Sequence, residues 1–177
     1  CLFNGNLTLE SGTLGGTGRY LWVEGDINVN ATSVVDLTAS EVVLTNLNAL
    51  NVNEAGSLYL KACQIHADVS TARYALNVNS GGLIYADNTI FRNMGINGVY
   101  LKEGSYTDFD FLFQGCSFLD GAAGGTLLRI DNNEDLTLRS VIFPTNTWGG
   151  ASNVTKSVNA GHVYFVDYTG DYAGEAN

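Results

Sequence analysis

The side chains best equipped for chemistry share one short stretch, Arg129-Ile130-Asp131-Asn132-Asn133-Glu134-Asp135, where three carboxylates and two amides occupy a single bend. Calcium takes roughly 6 to 8 hard oxygen ligands, so Asp131, Glu134 and Asp135 form a candidate calcium site. The spacing is not that of an EF-hand loop, and a solvated polar bend between strands is the competing reading. Tyr59 and Tyr85 form a second candidate. The repeat described next puts them at one outward position of adjacent coils, with Leu112 next in line, as a shallow aromatic platform on which a sugar could stack. The plainer alternative is cross-strand packing on an exposed sheet face. His66 and His162 fall about four coils apart and read as ordinary surface or bend residues. No catalytic set is visible.

The elements that position these residues are fixed by a repeat seen most clearly in Leu76 to Phe91, LNVNSGGLIYADNTIF. Its pattern is apolar, any, apolar, any, any, small or Cys, any, apolar. Val35, Leu58, Ile84, Phe111 and Leu136 take the first position, and Leu37, Leu60, Ala86, Phe113 and Leu138 the second. Ser40, Cys63, Thr89, Cys116 and Val141 take the third, and Val42, Ile65, Phe91, Phe118 and Phe143 the fourth. The steps along the first column are 23, 26, 27 and 25 residues, within the range of solenoid repeats. Spacing two is strand behaviour, and the two-residue break before the third position reads as a bend. A further pair lies 8 residues upstream in four turns: Ile27 and Val29, Leu50 and Val52, Leu76 and Val78, Leu128 and Ile130. Three short strands per coil, stacked in register, predict an all-β, right-handed parallel β-helix of about seven coils, each rising roughly 4.8 Å.

Composition agrees with this reading. A chain of 177 residues is one domain on length alone. Its 21 glycines against a single proline suit many tight bends, and no amphipathic helical run is present. Eight Lys and Arg against 18 Asp and Glu give a net charge of −10, which excludes phosphate-neutralising nucleic-acid binding and attraction to anionic membranes. No apolar run approaches the roughly 18 residues of a membrane-spanning helix.

Cys63 and Cys116 share the third column two coils apart, beyond the Cα limit of about 7 Å for a disulfide. Cys1-Leu2-Phe3 matches Cys116-Ser117-Phe118, so all three cysteines are expected as small buried hydrophobes. The Asn-Val-Asn triplets at 28–30, 51–53 and 77–79 mark bends and are placed to stack as amide ladders.

Residues 1–30 are the least regular, with a Gly-rich loop over 12–18, and predict a loosened first coil without an amphipathic cap. The longest insertion is expected between Leu101 and Phe109, with Gly104 to Asp108 protruding. After Phe143 the register blurs through Pro144 to Gly150 and returns at Val163 and Phe165. Residues 167–177 are expected to leave the helix as an extended tail. Cys1 falls in mid-pattern, which predicts a segment of a larger polypeptide.

The run Phe91-Arg92-Asn93-Met94-Gly95-Ile96-Asn97-Gly98-Val99-Tyr100-Leu101 resembles the coil signature of right-handed parallel β-helix proteins of the pectate-lyase-like superfamily, over nearly the whole chain. The Cys-x-Phe coils and the ending Val163-Tyr164-Phe165-Val166-Asp167-Tyr168-Thr169-Gly170-Asp171-Tyr172-Ala173-Gly174 are similar to non-catalytic β-helix regions of large secreted bacterial surface proteins. Catalytic members of the superfamily act on acidic polysaccharides, and the chain departs from their hydrolase pattern. Asn88-Thr89-Ile90 lacks the acid of Asn-Thr-Asp, and Gly161-His162-Val163 lacks the second Gly of Gly-His-Gly.

The resemblance implies export and surface attachment. The expectation is a structural or adhesive segment, non-catalytic and without a required cofactor. Its partners would be other modules of the same polypeptide or further copies, met through the end coils. Carbohydrate binding or polysaccharide processing is the alternative.

Overall fold

The computed structural model describes residues 1–107, 112–145 and 148–170. Among them every strand pairing is parallel and there is no helix. The chain winds as a β-solenoid of seven coils. The first three coils are β1 (Leu2–Phe3), β2 (Leu7–Leu9), β3 (Gly12–Thr17); β4 (Tyr20–Val23), β5 (Ile27–Val29), β6 (Ser33–Thr38); and β7 (Glu41–Leu44), β8 (Ala49–Val52), β9 (Ser57–Lys61). Next come β10 (Gln64–Ala67), β11 (Tyr74–Val78), β12 (Leu83–Asp87), then β13 (Ile90–Phe91), β14 (Met94–Leu101), β15 (Tyr106–Thr107). The last two are β16 (Ser117–Phe118), β17 (Thr126–Ile130), β18 (Leu136–Arg139), and β19 (Ser152–Lys156) with β20 (Val163–Val166).

Strands one coil apart pair, three further on through most of the chain and two further on at its end, which gives three faces: β1-β4-β7-β10-β13-β16, β2-β5-β8-β11-β14-β17-β19 and β3-β6-β9-β12-β15, the last resumed by the separate pair β18-β20. Alternate side chains point inward and make one continuous core from Leu21 to Val154. The third-column residues Ser40, Cys63, Thr89, Cys116 and Val141 are all buried.

Before each third-column residue the chain turns through a left-handed conformation, at Gly18, Ala39, Ala62, Asn88, Gly115, Ser140 and Asp167. Such φ values disfavour L side chains. Here they are offset by hydrogen bonding, because the bend joins the inter-coil ladder. The amide N–H groups of Gly18, Ala39, Ala62, Asn88, Gly115 and Ser140 donate to the carbonyls of Thr38, Lys61, Asp87, Gln114, Arg139 and Val166, at 2.7–3.0 Å.

Several sequence expectations are corrected. The first coil is regular: the Gly-rich stretch is β3, paired residue for residue with β6. Tyr106 and Thr107 do not protrude but pair with Leu83 and Ile84. Thr107, 23 residues beyond Ile84, therefore holds the first-column place in the fifth coil, and Phe111 lies outside the described residues. The insertion comes later, since Gln114 bridges Asp87. Leu112 does not continue the tyrosine face; it is buried and bridges Leu138, with Phe113 bulging beside it in a left-handed conformation. Cys1 is exposed and does not belong to the third column: Phe3 aligns with Val23 and Leu44, which sets Cys1 beside Leu21 in the column of Phe118. Residues 167–170 still follow the coil, with Thr169 bridging Ile142, while 171–177 lie outside the described residues.

Candidate functional site

The acidic bend sits between the second and third sheets, and its three carboxylates reach in different directions. Asp131 Oδ2 accepts from the Tyr100 hydroxyl at 2.6 Å, one coil back, and from Arg129 Nη2 and Nε at 3.0 and 3.2 Å. Glu134 Oε2 accepts from the backbone N–H and hydroxyl of Thr107 at 2.9 and 2.8 Å, tying the same preceding coil. Asp135 Oδ1 reaches the following coil, accepting from the His162 backbone N–H at 2.7 Å and lying 3.1 Å from its ring Nδ1. Those two hydrogen bonds hold the Asp135 carboxyl below the usual carboxylate range, the backbone bond most. The bend is thus a clasp over three coils. Among the described residues no three His, Cys, Asp or Glu side chains gather as a metal set.

The expected amide ladders are present. Asn77 Nδ2 donates to Asn51 Oδ1 at 2.9 Å and Asn51 Nδ2 to Asn28 Oδ1 at 3.0 Å; beside them Asn79, Asn53 and Asn30 do the same at 2.6 Å. The second ladder is headed by Glu10, which accepts from Asn30 Nδ2 at 3.1 Å. Along the first ladder's column Asn77 is followed by Tyr100 and then Arg129. The Arg129 guanidinium lies 4.5 Å from the Tyr100 ring centroid and donates to Asn97 Oδ1 at 3.1 Å. Lys102, after Asn79 in the neighbouring column, lies 5.5 Å from the same ring. Sequence reasoning missed this cluster, although its signal was available: Tyr-Leu-Lys and Arg-Ile-Asp occupy the triplet position that reads Asn-Val-Asn three times. A shallow groove of about 380 Å³ opens beside it, lined by Ser80, Tyr100, Lys102, Glu103, Asp131, Ser157 and Asn159.

Tyr59 and Tyr85 are adjacent on the outward face of the third sheet, with ring centroids 6.2 Å apart and planes inclined by 38°. Lys61 Nζ lies 5.7 Å from the Tyr85 ring. Both rings are half-buried, so the pair is brought together but offers one face of each ring at most. His66 is on β10 in the fourth coil, 2.8 Å from Glu41, and His162 precedes β20 in the seventh, so the two histidines serve separate contacts. The thiols of Cys63 and Cys116 are buried, and desolvation pushes Cys116 up to about 12, which keeps it from acting as a nucleophile at neutral pH.

Fold and side-chain geometry together define a parallel β-solenoid in which the acidic bend and the asparagine ladders tie neighbouring coils together. No known family model, curated protein or solved structure matches the chain.

Proposed function

We propose that the chain is a structural or adhesive β-solenoid segment of a secreted bacterial cell-surface or filament protein, serving as a rigid spacer or display rod. Membership of the pectate-lyase-like superfamily belongs to the same proposal, and its partners are other modules of the same polypeptide or further copies met through the end coils. Fold alone assigns no activity. The observation that carries the reading is the acidic bend: the stretch richest in reactive groups directs Asp131, Glu134 and Asp135 to three separate contacts, two of them with the preceding coil and one with the following one. A site that must also bind and turn over a substrate would leave such groups converging on open space.

The second reading, glycan recognition, rests on the Tyr59–Tyr85 pair with Lys61 beside it. A glycan array and a lyase assay on acidic polysaccharides separate the two. The rod reading expects no turnover and no binding above background. Selective glycan binding abolished by Tyr59→Ala or Tyr85→Ala would replace it with the second.

A further inference from the structure

The two ends of the solenoid are built differently. In the first coil the inward positions carry Phe3, Leu7, Leu9 and Leu14, all packed against the core. The last coil keeps Val154, Val163 and Phe165 but breaks the inward pattern in three places. On the second sheet, the column Leu9, Val29, Val52, Val78, Leu101, Ile130 ends at Lys156. The Ile142–Thr169 bridge sets the other two: Tyr168 follows Val141 in the column of small residues, and Gly170 follows Phe143 in the aromatic column.

Each change closes the end in its own way. Lys156 Nζ turns back to the carbonyl of Ser157 at 3.4 Å, and no carboxylate among the described residues pairs with it. Tyr168 packs edge-on against Phe165 with centroids 5.8 Å apart, and Phe165 lies 6.4 Å from Phe143, so two aromatic rings lean over the end of the core. At Gly170 a Cβ would collide with the Phe143 carbonyl, so no side chain can extend that column.

An added coil would bury the Lys156 ammonium in an apolar column without a partner, which is strongly unfavourable. Inward-pointing charge is one way natural sheets block edge-to-edge growth. Phe3, Leu7, Leu9 and Leu14 of the first coil carry no such charge, while Arg19, in register with Ser40, heads the column of small residues and is exposed. We infer that the seventh coil is a stop built around Lys156, and that copies of this chain do not stack head to tail. The stop rests on the partner reading above and narrows it to contacts that do not add a coil to the seventh.

The test pairs the two ends of one column. Sedimentation velocity over a hundredfold concentration range is run on the full chain, on Lys156→Ile, and on Lys156→Ile combined with Leu9→Lys. Melting temperature reports folding, and Lys156→Met stands in if the isoleucine variant fails to fold. The expected result is concentration-dependent oligomers for Lys156→Ile that disappear in the double variant, with none in the unaltered chain that depend on Lys156. A folded Lys156→Ile that keeps the unaltered mass overturns the inference. So do head-to-tail chains in the unaltered protein that Leu9→Lys dissolves. Failure of the rod reading would appear instead as glycan binding or turnover, which neither variant touches.

Discussion

Phe118 lies nearly flat on Phe91, with ring centroids 5.2 Å apart and planes 19° apart, and Phe143 continues the stack at 5.4 Å and 20°. One ring per coil fills the aromatic column at close to the inter-strand spacing, so a missing ring leaves a gap that its neighbours cannot close without breaking backbone register. Phe118→Ala is expected to cost about 3–5 kcal/mol. Tyr85→Ala, on the half-exposed outer face, is expected to cost well under half as much. Chemical denaturation of both variants checks the contrast, and equal losses would mean the stack is not what holds the middle coils.

How far the sequence could be read follows from what each column demands. Inward positions are legible because a one-residue slip turns every side chain over; hence Val35, Leu58, Ile84 and Phe91 fall where the pattern put them. It failed at Thr107, where a short polar residue holds an apolar place and the insertion follows it. The Gly-rich β3 was unreadable for the opposite reason, since glycines carry no alternation at all. In the acidic bend the residues were identifiable but their partners were not. The contacts that Asp131, Glu134 and Asp135 make with other coils lie 27 to 31 residues away and depend on the coil lengths between.

The cysteines give a direct chemical check on the register. Cys1 is exposed, whereas Cys63 and Cys116 are buried and desolvation raises both thiols. In the native protein at pH 8, a thiol reagent such as dithionitrobenzoate should titrate one group quickly, and all three in denaturant. Rapid modification of more than one thiol under native conditions would contradict the placement of the third column.

The middle of the amide ladder is expected to be worth more than its edge. Asn51→Ala removes the bonds to both Asn28 and Asn77, and because the site is half-buried the loss should be about 1–2 kcal/mol. Thr8 stands at the exposed head of the same column, and Thr8→Ala should change stability by less than about 0.5 kcal/mol. Urea midpoints at constant slope provide the measurement, and an effect at Thr8 as large as at Asn51 would count against the ladder as a stabilising unit.

The clasp between Asp135 and His162 ties the last coil to the one before it and predicts a pH dependence of definite sign. The Asp135 carboxyl is held low, first by the His162 backbone N–H and then by its ring. A carboxyl whose folded value lies below its unfolded value of about 3.9 binds fewer protons when folded. Its contribution is therefore fully present above that value and lost as pH falls through the folded one. The Leu136 backbone N–H donates to the His162 carbonyl at 2.8 Å, so its hydrogen exchange reports opening of this junction. Protection of Leu136, corrected for intrinsic exchange, should hold constant from pH 6 to 5 and weaken below about pH 4. In Asp135→Asn the protection should start lower and lose most of that acid-side dependence. A protection profile that falls equally with acid in the two proteins would show that the clasp does not hold the final coil.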